Sequence, residues 1–159
     1  MNSDNTSTEQ EVTEQVLPGW QVAAWAADSK KAANIKVLDL TGVTTFTDYF
    51  LICTASNPKQ AQTITDAIQQ ELKKQGEYAI SIEGYEPGEW VLSDYSDLIV
   101  HVFSEKAREF YDLDRLWREA KVVEVPRNPN HREELPFSMG SAGVRKLVVP
   151  PAAPASTEE

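Results

Sequence analysis

Few residues in this 159-residue chain have the types and spacing for covalent or metal chemistry. A thiol nucleophile would have to be Cys53, the single cysteine, which lies inside the apolar run Tyr49-Phe50-Leu51-Ile52-Cys53-Thr54. A cysteine in such a run packs as a small inert hydrophobe. A histidine base would have to be His101, in the middle of the apolar stretch 98–103, or His131, in a proline-rich segment. A lone strand histidine is more often structural than basic, and neither histidine has the spacing to acids that a metal site needs. Asp94 and Asp97 are the best carboxylate pair. Nucleotidyl transfer uses two carboxylates at alternating strand positions to hold Mg²⁺, with a Gly-Ser element for phosphate. Here the spacing of three puts the side chains on opposite strand faces, and Gly140-Ser141 lies far downstream. There is no glycine-rich phosphate loop, and turn formation is the simpler account of Asp94. No enzyme activity, cofactor or metal is expected. The alternative is a nucleotide-binding or nucleotidyltransferase-like enzyme using Asp94 and Asp97.

A second kind of chemistry is docking. Residues 83–103 carry Glu83, Glu86 and Glu89 before Trp90, and Asp94 and Asp97 after it. A large aromatic among acids suits a surface for a basic partner. Pattern alone favours Trp90 as a core residue, because large aromatics are mostly buried, and the three glutamates read equally well as a solvated loop.

Composition narrows the partner. The formal charge is −10, and residues 1–17 hold four acids and no base. Residues 126–159 are neutral, with four bases and four acids, so the stretch between carries −6. Such a domain is repelled by phosphate backbones and attracted to basic proteins. Sequence-specific nucleic-acid binding is therefore not expected. One cysteine allows no intrachain disulfide, no apolar run approaches the roughly 18 residues of a membrane span, and no base precedes Lys30 to mark a signal or transit peptide. The expected compartment is the cytoplasm.

The elements that must position these residues follow from periodicity. Residues 1–17 read as a disordered acidic leader, 18–125 as one domain, and 126–159 as a proline-rich extension. Within the extension, 135–137 and 144–149 are apolar enough to pack back on the domain, and Arg145-Lys146 is a candidate RNA contact. A helix is expected over 20–33, with Lys30 and Lys31 near its end. Strands are expected over 35–40, 49–54, 78–82, 90–92 and 98–103. The runs 49–54 and 98–103 are apolar enough to be central. A helix is expected over 58–75, with Asn57 as N-cap and Pro58 at the first helical position. Ala61, Ile64, Ile68 and Leu72 share its inner face. A last helical region begins at 104–106 and places Phe110, Leu113 and Trp117 on one face, before a short extended piece at 122–125. The fold class is α/β (α+β), a small mixed five-stranded sheet flanked by helices. With so few helices, one sheet face is expected to be partly uncovered, and Trp90 on it would make a docking surface.

The residues also resemble a known family in order and spacing over about 20–121. Asp39-Leu40, Thr47-Asp48-Tyr49-Phe50-Leu51-Ile52-Cys53-Thr54 and Gln60 resemble the first half of the ribosomal silencing factor (RsfS, Iojap) family. Glu83-Gly84, Trp90, Leu92, Asp94, Asp97, Val100-His101-Val102-Phe103, Arg108, Tyr111, Leu113 and Leu116-Trp117 resemble its second half. The resemblance implies a nucleotidyltransferase-like fold without the catalytic site. It implies docking on the large ribosomal subunit through ribosomal protein uL14, a steric block to small-subunit joining, and repression of translation. A role in large-subunit biogenesis and a homodimer off the ribosome go with it. The docking residues implied are Trp90 as anchor, Leu92 beside it, and Glu83, Asp94 and Asp97 as ion-pair partners, with Tyr95 and His101 as further contacts. A scaffold or dimerisation module of another pathway is a third reading.

Overall fold

In a computed structural model, residues 16–130 are described. The chain divides into two units, Met1–Pro126 and Arg127–Glu159. His131, Gly140-Ser141, Arg145-Lys146 and the apolar pieces at 135–137 and 144–149 lie outside the described residues, as does most of the leader.

The elements of the first unit, in chain order, are α1 (Gly19–Ser29), β1 (Ala33–Asp39), β2 (Tyr49–Ala55), α2 (Pro58–Lys73), β3 (Ser81–Glu83), β4 (Trp90–Asp94), β5 (Leu98–Ser104), α3 (Glu105–Tyr111), α4 (Leu113–Leu116) and β6 (Lys121–Val123). The strands form one sheet in the order β3-β4-β5-β2-β1-β6. The two most apolar strands, β2 and β5, sit side by side at its centre and are parallel, with Ile52 opposite His101. All other pairs are antiparallel.

Strand alternation divides the core between the two faces. Val37, Leu51, Cys53, Val91, Leu98, Val100 and Val102 point to one face, under Ala23, Ala27, Ile64, Ile68 and Leu72 of α1 and α2. Each fully buried aliphatic side chain there contributes about 1.5–3 kcal/mol. Leu38, Phe50, Ile52 and Phe103 point to the other face, which has Ala107 and Leu113 of the short helices as cover.

The N-terminus of α2 forms as its sequence suggests. Asn57 accepts the Gln60 N–H at 2.7 Å, and Pro58 takes the first helical position. The Gln60 amide reaches back to accept the Ser56 N–H at 2.6 Å and donates to the Lys30 and Lys31 carbonyls. That contact fixes the end of α1, which comes four residues earlier than expected. Lys31 takes a left-handed conformation (φ 64°), and the Ala32 N–H closes back on the Ala27 carbonyl, the bond of a Schellman turn.

Two further differences concern the C-terminal part. The extended piece is a sixth strand, Lys121–Val123, paired with β1 through Val37–Val123 and Leu38–Val122. The last helical region is broken at Asp112, whose φ is 46°. Leu113 is therefore buried, Trp117 is half-buried and Phe110 is 77% exposed, so the three do not share one face.

Candidate functional site

On the partly covered face, β3, β4 and the start of β5 carry exposed and half-buried side chains. Alternation along β4 sends Trp90, Leu92 and Asp94 to this face, and Val91, Ser93 and Tyr95 under the helices. Across the β3–β4 ladder, Ser81 stands opposite Asp94 and Glu83 opposite Leu92. Across β4–β5, Leu92 faces His101, Trp90 faces Phe103 and Asp94 faces Ile99. Trp90, Leu92, Asp94 and Ile99 are all half-buried and Glu83 is exposed. The result is an apolar floor of Trp90, Leu92 and Ile99 with carboxylates along one side.

The loop between β3 and β4 is held rigidly and sets where Trp90 begins. Gln62 of α2 donates to the Tyr85 carbonyl at 3.0 Å, and the Tyr85 hydroxyl donates to the Asp66 carboxylate. Gly84 has a positive φ of 78°, and a Cβ there would run into the Trp90 carbonyl. Gly88 packs so closely on Pro58 that its Cβ would lie 2.7 Å from Cα. Glu89 is consumed in fixing the start of α3. Its carboxylate accepts the Ser104 hydroxyl at 2.9 Å and its carbonyl accepts the Ser104 N–H, while Ser104 Oγ caps Ala107 N–H.

Trp90 belongs to an aromatic cluster drawn from six segments. Tyr111 of α3 covers it at 4.6 Å and Phe103 lies beneath at 4.9 Å. The Trp90 indole Nε1–H donates to His101 Nδ1 at 3.1 Å. His101 meets Phe50 edge-on at 4.5 Å, and Phe50 adjoins Trp117 and Phe46. Phe46 and Tyr111 are about half exposed, at 57% and 48%. These two belong to the candidate surface and were not anticipated, because a loop aromatic and a helix aromatic far apart in sequence give no common period.

The expected site residues separate accordingly. Trp90, Leu92, Glu83 and Asp94 come together on this face. Asp97 is exposed in the turn between β4 and β5, where its carbonyl accepts the Asp48 and Tyr49 N–H groups. Asp94 accepts the Ser96 N–H at 2.8 Å, so its carboxylate partly serves that turn. Tyr95 and His101, expected as further contacts, are both buried, at 6% and 3% exposure. Tyr95 points to the helix-covered side. Tyr95 is among the residues lining a hollow of about 640 Å³ with residues 16–19, Glu77 and Asp97. Its buried hydroxyl has no hydrogen-bond partner among the described residues, and burial pushes the phenol up to about 12. Burial likewise pushes His101 down to about 4 and the Cys53 thiol up to about 12. Among the described residues, no group of three or more His, Cys, Asp or Glu is placed to hold a metal ion.

At the C-terminal end of the parallel pair, where α/β sheets commonly bind ligands, an arginine closes the structure instead. Arg108 forks onto Asp114 through Nε and Nη2 at 3.2 and 3.0 Å. Its Nη1 donates to the Asn34 carbonyl and Thr54 Oγ1 at 2.7 and 2.9 Å. Lys36 adds a second cation to Asp114 at 3.1 Å.

Comparison with known proteins decides the family. Residues 13–142 match the family model "Ribosomal silencing factor during starvation". The chain belongs to the ribosomal silencing factor family. It is 39% identical over 105 residues to the ribosomal silencing factor RsfS of Halalkalibacterium halodurans, covering 66% of this chain and 90% of that one. A crystal structure of a Chromobacterium violaceum protein superposes with a TM-score of 0.63 at 26% identity, covering 76% of this chain and 98% of that one. A more distant relative, the mouse "Mitochondrial assembly of ribosomal large subunit protein 1", is 24% identical over 91 residues, which is 55% of this chain and 40% of that protein. The chain is thus similar in sequence to silencing factors and in α/β fold to the Chromobacterium protein.

Proposed function

We propose that this silencing factor docks its open sheet face on ribosomal protein uL14 of the large subunit and, by occupying that surface, blocks joining of the small subunit. The observation that carries the reading is the half-exposed Trp90, set in an apolar floor and flanked by acids. Glu83 and Asp94 have no ion-pair partner among the described residues. A rigid aromatic anchor with a charged rim is the usual anatomy of a binding hot spot. Unpaired carboxylates attract a basic ribosomal protein and speed its encounter. The mechanism is steric and needs no chemical step.

A contribution to large-subunit assembly belongs to the same proposal and is supported by the name of the mouse relative. Off the ribosome, the apolar floor is the surface a second copy would cover. No described helix is long and apolar enough to cross a membrane, and action in the cytoplasm is part of the proposal. A nucleotide-binding reading finds less support, since the donors of Arg108 are engaged within the protein.

The test is co-sedimentation with separated ribosomal subunits. The wild type is expected to travel with large subunits only. Trp90→Ala should weaken this by about 2 kcal/mol, roughly 30-fold. Glu83→Lys, at an exposed position away from the core, should weaken it with no change in melting temperature. Undiminished binding by both folded variants would exclude this face.

A further inference from the structure

The imidazole that accepts the Trp90 N–H is buried, and its setting gives it a part in docking that exposure would never suggest. An indole N–H can only donate. His101 Nδ1, at 3.1 Å from Trp90 Nε1, therefore presents a lone pair, and the single ring proton sits on Nε2. That Nε2 is buried with no hydrogen-bond partner among the described residues. A buried donor without a partner is unfavourable, so an apolar residue at this position would serve the core better. The histidine is thus poorly explained by stability alone.

Its ring is nevertheless held firmly. Phe50 meets it edge-on at 4.5 Å and Phe103 stacks parallel to it at 6.0 Å. Its strand is flanked by Ile52 of β2 on one side and Leu92 of β4 on the other. The imidazole is the fixed member of the pair. The indole is the half-exposed member, and its N–H has no other acceptor among the described residues. An anchor held in its bound orientation beforehand loses less freedom on association than one that must be ordered by its partner.

We propose that His101 is the positioning residue for Trp90, its Nδ1 lone pair fixing the indole in the orientation that docks. The inference rests on the docking reading above and deepens it. His101 touches no partner; it acts through Trp90.

Two substitutions separate this role from a structural one. In His101→Asn the side-chain oxygen can occupy the Nδ1 position, so the acceptor is kept while ring packing on Phe50 is lost. In His101→Leu the apolar volume is kept, the orphaned Nε2–H is removed and the acceptor is lost. A purely structural histidine predicts that Leu is tolerated and Asn is harmful in every assay. Positioning predicts the reverse order for binding. His101→Leu should melt no lower than wild type yet bind large subunits about fivefold more weakly, the factor of one net hydrogen bond. His101→Asn should melt lower yet bind within twofold of wild type. In ¹⁵N-labelled free protein, the Trp90 indole N–H resonance should move upfield in His101→Leu and stay near its wild-type position in His101→Asn. Wild-type affinity in the folded Leu variant would overturn the positioning role and leave docking standing. Absence of wild-type binding to large subunits would overturn both.

Discussion

Arg108 offers a measurable test of how the domain is held at the end of its central strands. Replacing it with methionine keeps the aliphatic stem and removes all four hydrogen bonds of the guanidinium. Two consequences follow. The Asn34 carbonyl and Thr54 hydroxyl lose a charged donor, and Asp114 keeps only Lys36, 3.1 Å away. Removing one partner of a fully buried pair costs about 3–5 kcal/mol. Here the side chains are 15% and 23% exposed, and Lys36 still neutralises the carboxylate. The loss should therefore fall below that range, at about 2–3 kcal/mol. Burial by itself would raise the Asp114 carboxyl, but the bonds from Arg108 and Lys36 outweigh it and hold it below the ordinary range. The stability it supplies is present above the unfolded-state pKa and is lost as pH falls through the lower folded value, so the variant's deficit should shrink in strong acid. Urea unfolding at neutral pH, with the m-value unchanged, measures the effect. Arg108→Lys should recover less than half, since an ammonium cannot fork. A loss below about 1 kcal/mol for methionine would refute the reasoning, because that is what an exposed ion pair gives.

Other predictions concern the site. His101 is depressed to about 4 by burial, whereas the unfolded chain binds that proton near 6.5. Stability should therefore be flat above pH 7 and fall as pH drops through the window from 6.5 to 4. The loss should be about 1 kcal/mol between pH 7.5 and 5.5, and His101→Leu should abolish that slope in urea melts. Gly84→Ala forces a side chain into the Trp90 carbonyl at a positive φ. It should cost more than about 1 kcal/mol and disturb the near-UV circular dichroism of Trp90; a silent variant would mean that the loop does not brace β4.

Much of this fold is legible in the sequence because local and global signals agree. The run at 49–54 is apolar on both parities, and β2 is indeed buried on both faces between β5 and β1. Asn57-Pro58 starts a helix by backbone chemistry that tertiary context does not change. The ordered residues between Asp39 and Trp117 resemble the silencing factors, and residues 13–142 match that family's model. What was not legible depends on distant parts of the chain. The break at Asp112 is a left-handed turn at a residue that is not glycine, so the spacing of Phe110, Leu113 and Trp117 still looked helical. β6 is three residues long, with Lys121 and Val122 exposed, and only its pairing with β1 makes it a strand. At the candidate site, alternation along β4 was readable and put Trp90, Leu92 and Asp94 on one face. That Tyr95 would be buried follows from the same alternation. The burial of His101 follows from the apolar strand around it. The aromatic cluster joining Phe46 to Tyr111 exists only once six segments have come together.

The parallel contact between β2 and β5 has a consequence for how the domain is made. Their connection contains all of α2, β3 and β4, so the central ladder closes over a long loop. Pairings of this kind are slow to form, because chain entropy is spent before the contact repays it. During synthesis β2 has no central neighbour until Ser104 has emerged, and Leu51, Ile52 and Cys53 must wait in an open, strand-prone segment. The domain therefore completes its core only after nearly all of it has left the ribosome. A chain interrupted anywhere before β5 presents that segment as a seed for aggregation.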